Sequence, residues 1–301
     1  MSRPDHVFVV GLPRTGSTLT RAILNASPQV GIGSESHFFP SPIRLGLARR
    51  PGYRERFARI GDLREDEGLV RVIDAIWNLR TKSFWSRLAG MADRADFETR
   101  LRASDRTDQS LLDLAMEYYA KGKPIRGEKT PQHIHAIPTL LAWFPNARIV
   151  HTFRDPRAVC VSLMRKEDRQ TSGWRPRLLR WLGPLRELYA TTNVTLAWLR
   201  VVALHRRYQR QYPDRYRLQR FEDLIRDPRR AVEELCAFLE IPFSEAMLEV
   251  VVLNSSYVPR ATGTGFDPAT LDRWRSHLSP LARRWFVLLC GAELREFGYE
   301  P

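Results

Sequence analysis

The chain has 301 residues, of which 43% are hydrophobic and 27% charged, a balance typical of folded globular protein rather than of disorder. This length suits one large α/β domain, and we expect residues 1–301 to form a single domain. No stretch reaches the roughly 18 uninterrupted apolar residues of a membrane span, and the first residues lack the apolar segment of a signal peptide. The sequence therefore predicts a soluble protein of the cytoplasm.

The net charge is +14, which calls for an anionic partner. The charge is spread along the chain and no basic zipper or zinc finger is visible, so nucleic acid is not the expected partner. A small polyanionic ligand, together with an acidic acceptor or a membrane surface, fits the charge as well. Three cysteines lie far apart in apolar runs and seven histidines form no ligand-type cluster, so no disulfide framework and no metal site are predicted.

The first predicted element is a buried parallel strand over residues 6–11, HVFVVG, because the run is short, apolar and β-branched. A glycine-containing turn follows, and then a segment with apolar residues at helical spacing. A second strand with its loop is expected over about residues 30–40. Residues 125–164 alternate as strand, loop, helix, strand, loop and helix, which predicts a parallel sheet with helices on both faces.

Two arginine-rich segments interrupt this alternation. Residues 43–121 have a helical pattern, and we expect them to form a helical insertion that covers the site on its acceptor side. Residues 165–190 are interpreted as an exposed cap, with contact to a membrane surface as the alternative. A long helix, a strand (YRLQRF), another helix and one or two C-terminal helices complete the chain. The fold class predicted is therefore α/β, with a P-loop-type parallel β-sheet flanked by helices.

Residues 11–18, GLPRTGST, have the glycine spacing of a Walker A loop between a predicted strand and helix. Such a turn points backbone N–H groups and a helix N-terminus at an anion. The Walker lysine is replaced by Ser17, and the basic residue lies inside the loop as Arg14. This change disfavours a nucleoside triphosphate with Mg²⁺ and favours a terminal tetrahedral group on a 5′-phosphate, bound with help from Thr15 and Thr18. An ordinary βα turn is the alternative.

A second candidate anion site follows the strand ARIVHTF. Arg154 lies directly after this strand, and Ser162 comes eight residues later on the next helix. A guanidinium offers a fork to a phosphate dianion, and a hydroxyl adds a directional donor. Taken alone, Arg154 is equally well explained as a partner of a local carboxylate such as Asp155.

Together these motifs resemble the superfamily of sulfotransferases that use 3′-phosphoadenosine-5′-phosphosulfate (PAPS). The stretch PRTGST matches the superfamily's 5′-phosphosulfate loop, and Arg154 with Ser162 matches its 3′-phosphate motif. The resemblance implies that Arg14, Thr15, Gly16, Ser17 and Thr18 hold the phosphosulfate without a metal ion. It further implies that adenosine 3′,5′-bisphosphate is the product and a hydroxyl compound the acceptor.

Glu35, in the stretch GSESHFFP, is the candidate general base. It lies at the expected end of the second strand, and we expect burial beside Phe38 and Phe39 to raise its pKa toward neutrality. The stretch is similar to glutamate-containing segments of heparan-sulfate-type and tyrosylprotein sulfotransferases, where that glutamate is the proposed base. His37 and His133 are the rival bases, and a salt-bridging surface glutamate is the alternative for Glu35.

Lys129, in GEKTPQHI, is the candidate cation for the leaving group. The stretch matches the EKTP of the glycan enzymes, and a compact ammonium group suits the charge that develops on a departing phosphate. A salt bridge to Glu128 is the alternative for Lys129, although sequence neighbours point apart.

The resemblance also extends to the C-terminal half, where a loop before a tryptophan grips the nucleotide in related enzymes. Arg260, Thr262 and Gly263 are the candidates here, but the usual RKG triplet is absent. Two other functions are weighed against sulfuryl transfer: a P-loop kinase or NTPase, and a non-enzymatic polyanion-binding protein. The missing secretory signal favours a bacterial enzyme that acts on a glycolipid, a small metabolite or a natural product.

Overall fold

The computed structural model describes residues 3–43, 48–169, 183–250 and 266–300. The strands are β1 His6–Gly11, β2 Val30–Gly33, β3 Ser41–Ile43, β4 Ala48–Arg50, β5 Ile125–Lys129, β6 Arg148–Phe153 and β7 Tyr216–Arg220. The helices are α1 Ser17–Ala26, α2 Tyr53–Ala58, α3 Asp66–Trp77, α4 Phe84–Ala89, α5 Arg94–Ala103, α6 Asp108–Ala120, α7 Ile137–Trp143, α8 Pro156–Arg169, α9 Gly183–Gln211, α10 Phe221–Arg226, α11 Pro228–Leu239, α12 Arg273–His277 and α13 Pro280–Glu296. Short 3₁₀ turns cover Pro131–Ala136, Glu245–Met247 and Pro268–Thr270.

Five parallel strands form the main sheet in the order β2-β5-β1-β6-β7. Its register pairs Val9 with Lys129 on one side and with Val150 on the other. Every residue of β1 and of β6 is buried. Burial on both faces explains why β1 has an unbroken apolar stretch rather than an alternating pattern, whereas β6 also buries the polar residues Arg148, His151 and Thr152. The predicted α/β class with a parallel sheet is confirmed.

The alternating side chains of β1 divide the core between the two faces of the sheet. Phe8 and Val10 pack with α3 to α9 and α13, whereas Val7 and Val9 pack with α1, α10 and α11. Both faces are thus covered by helices, as a sheet of parallel strands requires. In the part of the chain that the structure describes, helices therefore pack against both faces of the main sheet.

The segment predicted as a helical insertion begins differently from the expectation. A short antiparallel hairpin pairs β3 with β4, and the helices α2 to α6 follow between residues 53 and 120. Each strand of the hairpin has only three residues, too few for an alternating pattern to stand out from the helical background. The long helix after the cap segment also begins earlier than predicted, at Gly183.

Tryptophans of the insertion lie in or against the core. Trp85 is fully buried, and Trp77 packs on Phe97 with 5.3 Å between the ring centroids. Trp85 Nε1 also donates a 3.0 Å hydrogen bond to the carbonyl of Ser36. The insertion is thereby anchored to the segment that carries Glu35. None of the helices in the described residues is long and apolar enough to cross a membrane.

Candidate active site

The predicted motifs meet at one edge of the sheet. Glu35 follows β2, Lys129 ends β5, the glycine loop follows β1 and Arg154 follows β6, and these four strands are neighbours in that order. Because all of them are parallel, their carboxyl ends lie together, which is where open α/β sheets bind ligands.

The loop after β1 needs glycine at two positions. Gly11 and Gly16 have φ values of +143° and +91°, which disfavour a side chain. A Cβ on Gly11 would lie 2.3 Å from the Thr152 carbonyl oxygen, and one on Gly16 would lie 2.5 Å from Phe221 Cδ2. The glycine spacing therefore allows β1 and α1 to pack closely against β6 and α10.

The hydroxyl side chains of the loop face different surroundings. Thr15 is buried, donates to the Leu12 carbonyl at 2.7 Å and lies 2.8 Å from Thr152 Oγ1, so its hydroxyl braces the loop from inside. Ser17 is buried and Thr18 is exposed at the start of α1. Gly16 provides no side-chain cap and the first turn of α1 has no acidic residue. This helix start suits an anionic ligand, because its N-cap residue supplies no side-chain acceptor for the first N–H groups.

Arg14 joins the two predicted anion sites. Its φ of +77° turns the side chain toward α8, where Nε donates a 3.0 Å hydrogen bond to Ser162 Oγ. Arg154 Nη1 in turn donates to the Arg14 carbonyl at 3.4 Å. The structure thus brings Arg14, Arg154 and Ser162 into one continuous cluster of donors.

Arg154 is held by the tertiary structure from two further sides. Its Nη2 donates to the Thr270 carbonyl at 2.8 Å, and its guanidinium carbon lies 4.0 Å from the centre of the Phe221 ring. Cation–π contacts of this kind orient a guanidinium while leaving its charge in place. The Asp155 carboxylate binds Arg157, 2.8 Å away. Neither Phe221 nor Thr270 was predicted as part of this site.

Glu35 and Lys129 form an ion pair with Oε1 and Nζ 2.5 Å apart. Lys129 is 5% exposed, whereas the Glu35 side chain is 38% exposed and has its second oxygen 3.2 Å from His37 Nε2. The partner of Lys129 in the structure is therefore Glu35. The alternative, a bridge from Lys129 to Glu128, is not what the structure shows.

The expected rise in the pKa of Glu35 is wrong. Burial acts to raise this pKa, but the hydrogen bond from His37 and the charge and hydrogen bond of Lys129 outweigh it and lower the pKa to about 2. Phe38 and Phe39 turn into the core, where Phe38 is fully buried, rather than forming an apolar wall around the carboxylate. Glu35 is therefore ionised in the ligand-free protein.

His133 occupies the core beneath the site. It is fully buried, its Nε2 accepts the Phe39 N–H at 3.2 Å, and its Nδ1 lies 2.7 Å from Glu128 Oε1. Because Nε2 is an acceptor, Nδ1 carries the proton and donates to Glu128. Both ring nitrogens are thus engaged within the fold, and of the two rival bases His37 is the one beside Glu35.

Glu128 ties the Glu35 segment to β5. Its carboxylate is fully buried and accepts hydrogen bonds from the Ser36 N–H at 3.3 Å, from Thr130 and from His133. Burial raises the pKa of Glu128, but these donors outweigh burial and the pKa is lowered. The sequence analysis treated Glu128 only as a rival partner of Lys129. Its position in GEKTP, next to the candidate lysine, was the available signal.

Some predicted residues cannot be located. Arg260, Thr262 and Gly263 lie in residues 251–265, outside the described residues. Within the described ranges, no group of three or more histidine, cysteine, aspartate or glutamate side chains is arranged to hold a metal ion.

These features define a P-loop-type α/β nucleotide-binding protein. The sheet is parallel, a glycine loop leads into a helix, and basic side chains come from two neighbouring strand ends. Comparison with known proteins is more specific. The chain belongs to the sulfotransferases, because the model of the "Sulfotransferase family" matches residues 4–245. It is a sulfotransferase enzyme, and the resemblance drawn from the motifs is confirmed.

Relatives and solved structures agree with this assignment. Protein-tyrosine sulfotransferase 1 of Danio rerio is 25% identical over 311 residues, spanning 98% of this chain and 72% of the relative. Carbohydrate sulfotransferase 5 of Mus musculus is 32% identical over 171 residues, spanning 51% of this chain and 42% of the relative. The sulfotransferase domain of the Synechococcus PCC 7002 olefin synthase has the same fold, with a TM-score of 0.58, 21% identity and coverage of 100% of this chain and 97% of that domain.

Proposed function

We propose that this enzyme transfers a sulfuryl group from PAPS to a hydroxyl-type acceptor, with Glu35 as the general base. The observation that carries the proposal is the Arg14–Ser162 hydrogen bond, which links the 5′ loop to the candidate 3′-phosphate site. A donor with anionic groups at both its 5′ and 3′ ends fits such a linked pair. Adenosine triphosphate, with its phosphates at one end only, does not use the second site.

The phosphosulfate end is assigned to residues 14–18. Backbone N–H groups at the start of α1 and the Arg14 guanidinium would bind its oxygens. Thr15 would stabilise the loop conformation through its hydrogen bond to the Leu12 carbonyl. Arg154 and Ser162 are assigned to the 3′-phosphate. Arg154 suits this task because the Phe221 ring and two backbone carbonyls fix it before any ligand arrives.

Glu35 and Lys129 are assigned to the chemical step. The Glu35 carboxylate takes the proton of the acceptor hydroxyl as the acceptor oxygen forms its bond to sulfur. The bond between sulfur and the bridging oxygen breaks, and the electron pair leaves with adenosine 3′,5′-bisphosphate. Lys129 and Arg14 stabilise the negative charge that develops on that oxygen. This reaction requires positioning and charge stabilisation rather than a redox change.

The ion pair of the ligand-free protein has a consequence for the base. His37 and Lys129 together outweigh the effect of burial and hold Glu35 as a weak base, with a pKa of about 2. A donor oxygen that draws Lys129 toward itself weakens this pair, and the pKa of Glu35 then rises toward its ordinary value. We infer that donor binding strengthens the base at the moment when an acceptor can react.

The acceptor is assigned to the side of the site that residues 43–121 cover. Residues 165–190 are assigned as a cap on the domain. Residues 1–301 are taken to form a single domain. Related proteins include one named for protein tyrosine and one named for carbohydrate, so phenolic and sugar hydroxyls are the acceptor classes to test first. A glycolipid or a small metabolite belongs to the same hydroxyl class.

The pH dependence of kcat/KM tests the role of the ion pair. A carboxylate base is active when ionised, so activity is present above its pKa and is lost as the pH falls through it. Because the pKa of Glu35 is lowered to about 2, we expect the free wild-type enzyme to show no acid limb from this group near neutrality. Lys129→Met removes the opposing charge and leaves burial in place, so the limb should move to higher pH.

The control for this experiment is Lys121→Met, which removes an exposed lysine that precedes β5, whereas Lys129 lies at the far end of that strand. Its pH profile should match that of the wild type. A limb that stays in place in Lys129→Met would contradict the coupling between Lys129 and Glu35, whatever happens to the maximal rate.

Calorimetric titration with adenosine 3′,5′-bisphosphate in the absence of metal, beside a titration with Mg-ATP, tests the donor. We expect the bisphosphate to bind and Mg-ATP to bind more weakly, because Ser17 stands where a nucleoside-triphosphate loop has lysine. A preference for Mg-ATP would overturn the assignment of the donor and favour phosphoryl transfer.

A further inference from the structure

Two arginines approach the end of β2 from opposite faces of the sheet. Arg21 lies on α1, which packs with the core of one face, and Arg87 lies on α4, which packs with the core of the other. β2 is the edge strand of the main sheet. Both helices therefore lie beside the last strand, whose chain continues to Glu35.

Specific contacts hold both arginines at this place. Arg21 Nε donates to the Ile32 carbonyl at 3.2 Å, three residues before Glu35. Phe84 stacks on Tyr119 with 4.2 Å between ring centroids and covers Gly33 so closely that a Cβ there would lie 2.7 Å from Phe84 Cε2. Arg87 follows Phe84 by about one helical turn and is exposed.

The electrostatic interactions agree with this placement. Burial and the positive charge of Arg87 lower the pKa of Arg21, while Tyr119 and Glu35 act in the opposite direction. Arg87, Tyr119 and Glu35 thus all lie within electrostatic range of the Arg21 guanidinium. The charge of Arg87 has the same sign as that of Arg21. Two like charges placed together raise the free energy of the folded protein unless an anion accompanies them.

No carboxylate in the described residues forms an ion pair with Arg21 or Arg87. Other arginines of the helical insertion are paired, as in Arg94 with Asp74 and Arg100 with Glu117. Glu35, the nearby carboxylate, is already bound by Lys129 and His37. The region around the proposed base therefore has an excess of positive charge that the protein itself does not neutralise.

We propose that Arg21 and Arg87 form an oxyanion subsite for the acceptor, which selects hydroxyl compounds that carry a carboxylate, phosphate or sulfate group near the reacting hydroxyl. This inference rests on the proposed function, since it places the acceptor beside Glu35. Guanidinium groups suit the task because their planar forks match the geometry of oxyanions. Arg21 is fixed by its bond to Ile32, whereas exposed Arg87 is accessible to a ligand from solvent.

The test measures binding of inorganic phosphate to enzyme saturated with adenosine 3′,5′-bisphosphate, so that the donor phosphate sites are filled. We expect Arg21→Gln and Arg87→Gln each to raise the Kd for phosphate at least about fivefold, since each removes a charge-assisted contact. The affinity for the bisphosphate should stay at the wild-type value. Arg71→Gln, which removes an exposed arginine paired with Glu67, is the matched control and should change neither constant.

Thermal unfolding of the same variants shows whether a substitution weakens phosphate binding or destabilises the folded protein. Arg87→Gln removes a like charge, so its Tm without ligand should not fall, and phosphate should raise the Tm of the wild type more than that of either variant. An unchanged phosphate Kd in both variants would overturn the subsite. A parallel loss of bisphosphate affinity would also overturn it, by assigning the arginines to the donor. If the bisphosphate does not bind the wild type at all, the proposed function fails, and the difference in phosphate Kd between the wild type and the two arginine variants then decides the subsite on its own.

Discussion

Glu35→Gln should lower kcat by on the order of 10²–10⁴-fold, the range that a positioned general base contributes. The substitution keeps the size of the side chain but removes the group that accepts the acceptor's proton. Affinity for adenosine 3′,5′-bisphosphate should remain near the wild-type value. The substitution removes a negative charge beside Lys129 but changes none of the residues assigned to the nucleotide. Steady-state kinetics with a labelled donor, combined with calorimetry, measures both quantities.

Two comparisons make the result of Glu35→Gln specific. Glu234→Gln alters an exposed carboxylate that pairs with Arg217 and Arg230 on the surface, and it should leave turnover unchanged. His37→Gln removes the hydrogen bond to Glu35 and should cost much less than the loss of the carboxylate. Full activity in Glu35→Gln together with its loss in His37→Gln would transfer the role of base to His37.

Arg154→Ala should weaken bisphosphate binding by about 2–4 kcal/mol, since it leaves a phosphate without its charge-assisted partner. This corresponds to a Kd raised by roughly 30- to 1,000-fold. The same guanidinium also binds the carbonyls of Arg14 and Thr270, so part of the effect acts through the shape of the glycine loop. Calorimetric titration without metal measures the change.

Arg154→Lys divides these contributions. A lysine retains the positive charge but not the fork that contacts both carbonyls and the Phe221 ring, so we expect an affinity between those of the wild type and Arg154→Ala. Arg230→Ala, at an exposed surface position, should bind the bisphosphate normally. Unchanged affinity in Arg154→Ala would remove Arg154 from the 3′-phosphate site.

The candidate residues at the strand ends could be identified from the sequence because each motif is local. Three features lie next to one another in the sequence: the β-branched run before the loop, the glycines at 11 and 16, and the arginine inside the loop. Each can be interpreted from about ten neighbouring residues, without knowledge of the rest of the chain. The parallel sheet followed from the alternation of strands and helices. The hairpin of β3 and β4 was missed because two three-residue strands have no pattern of their own.

The amino-acid sequence by itself determined the fold class, the position of the candidate anion-binding loop and the candidate residues for catalysis. Only the tertiary structure decided their states, since the decisive partners are distant in the chain. Arg14 and Ser162 are 148 residues apart, and Glu35 and Lys129 are 94 apart. A pKa depends on the charges and hydrogen-bond donors within a few ångströms, which local sequence does not contain. For that reason the pKa of Glu35 was expected to be raised and is in fact lowered.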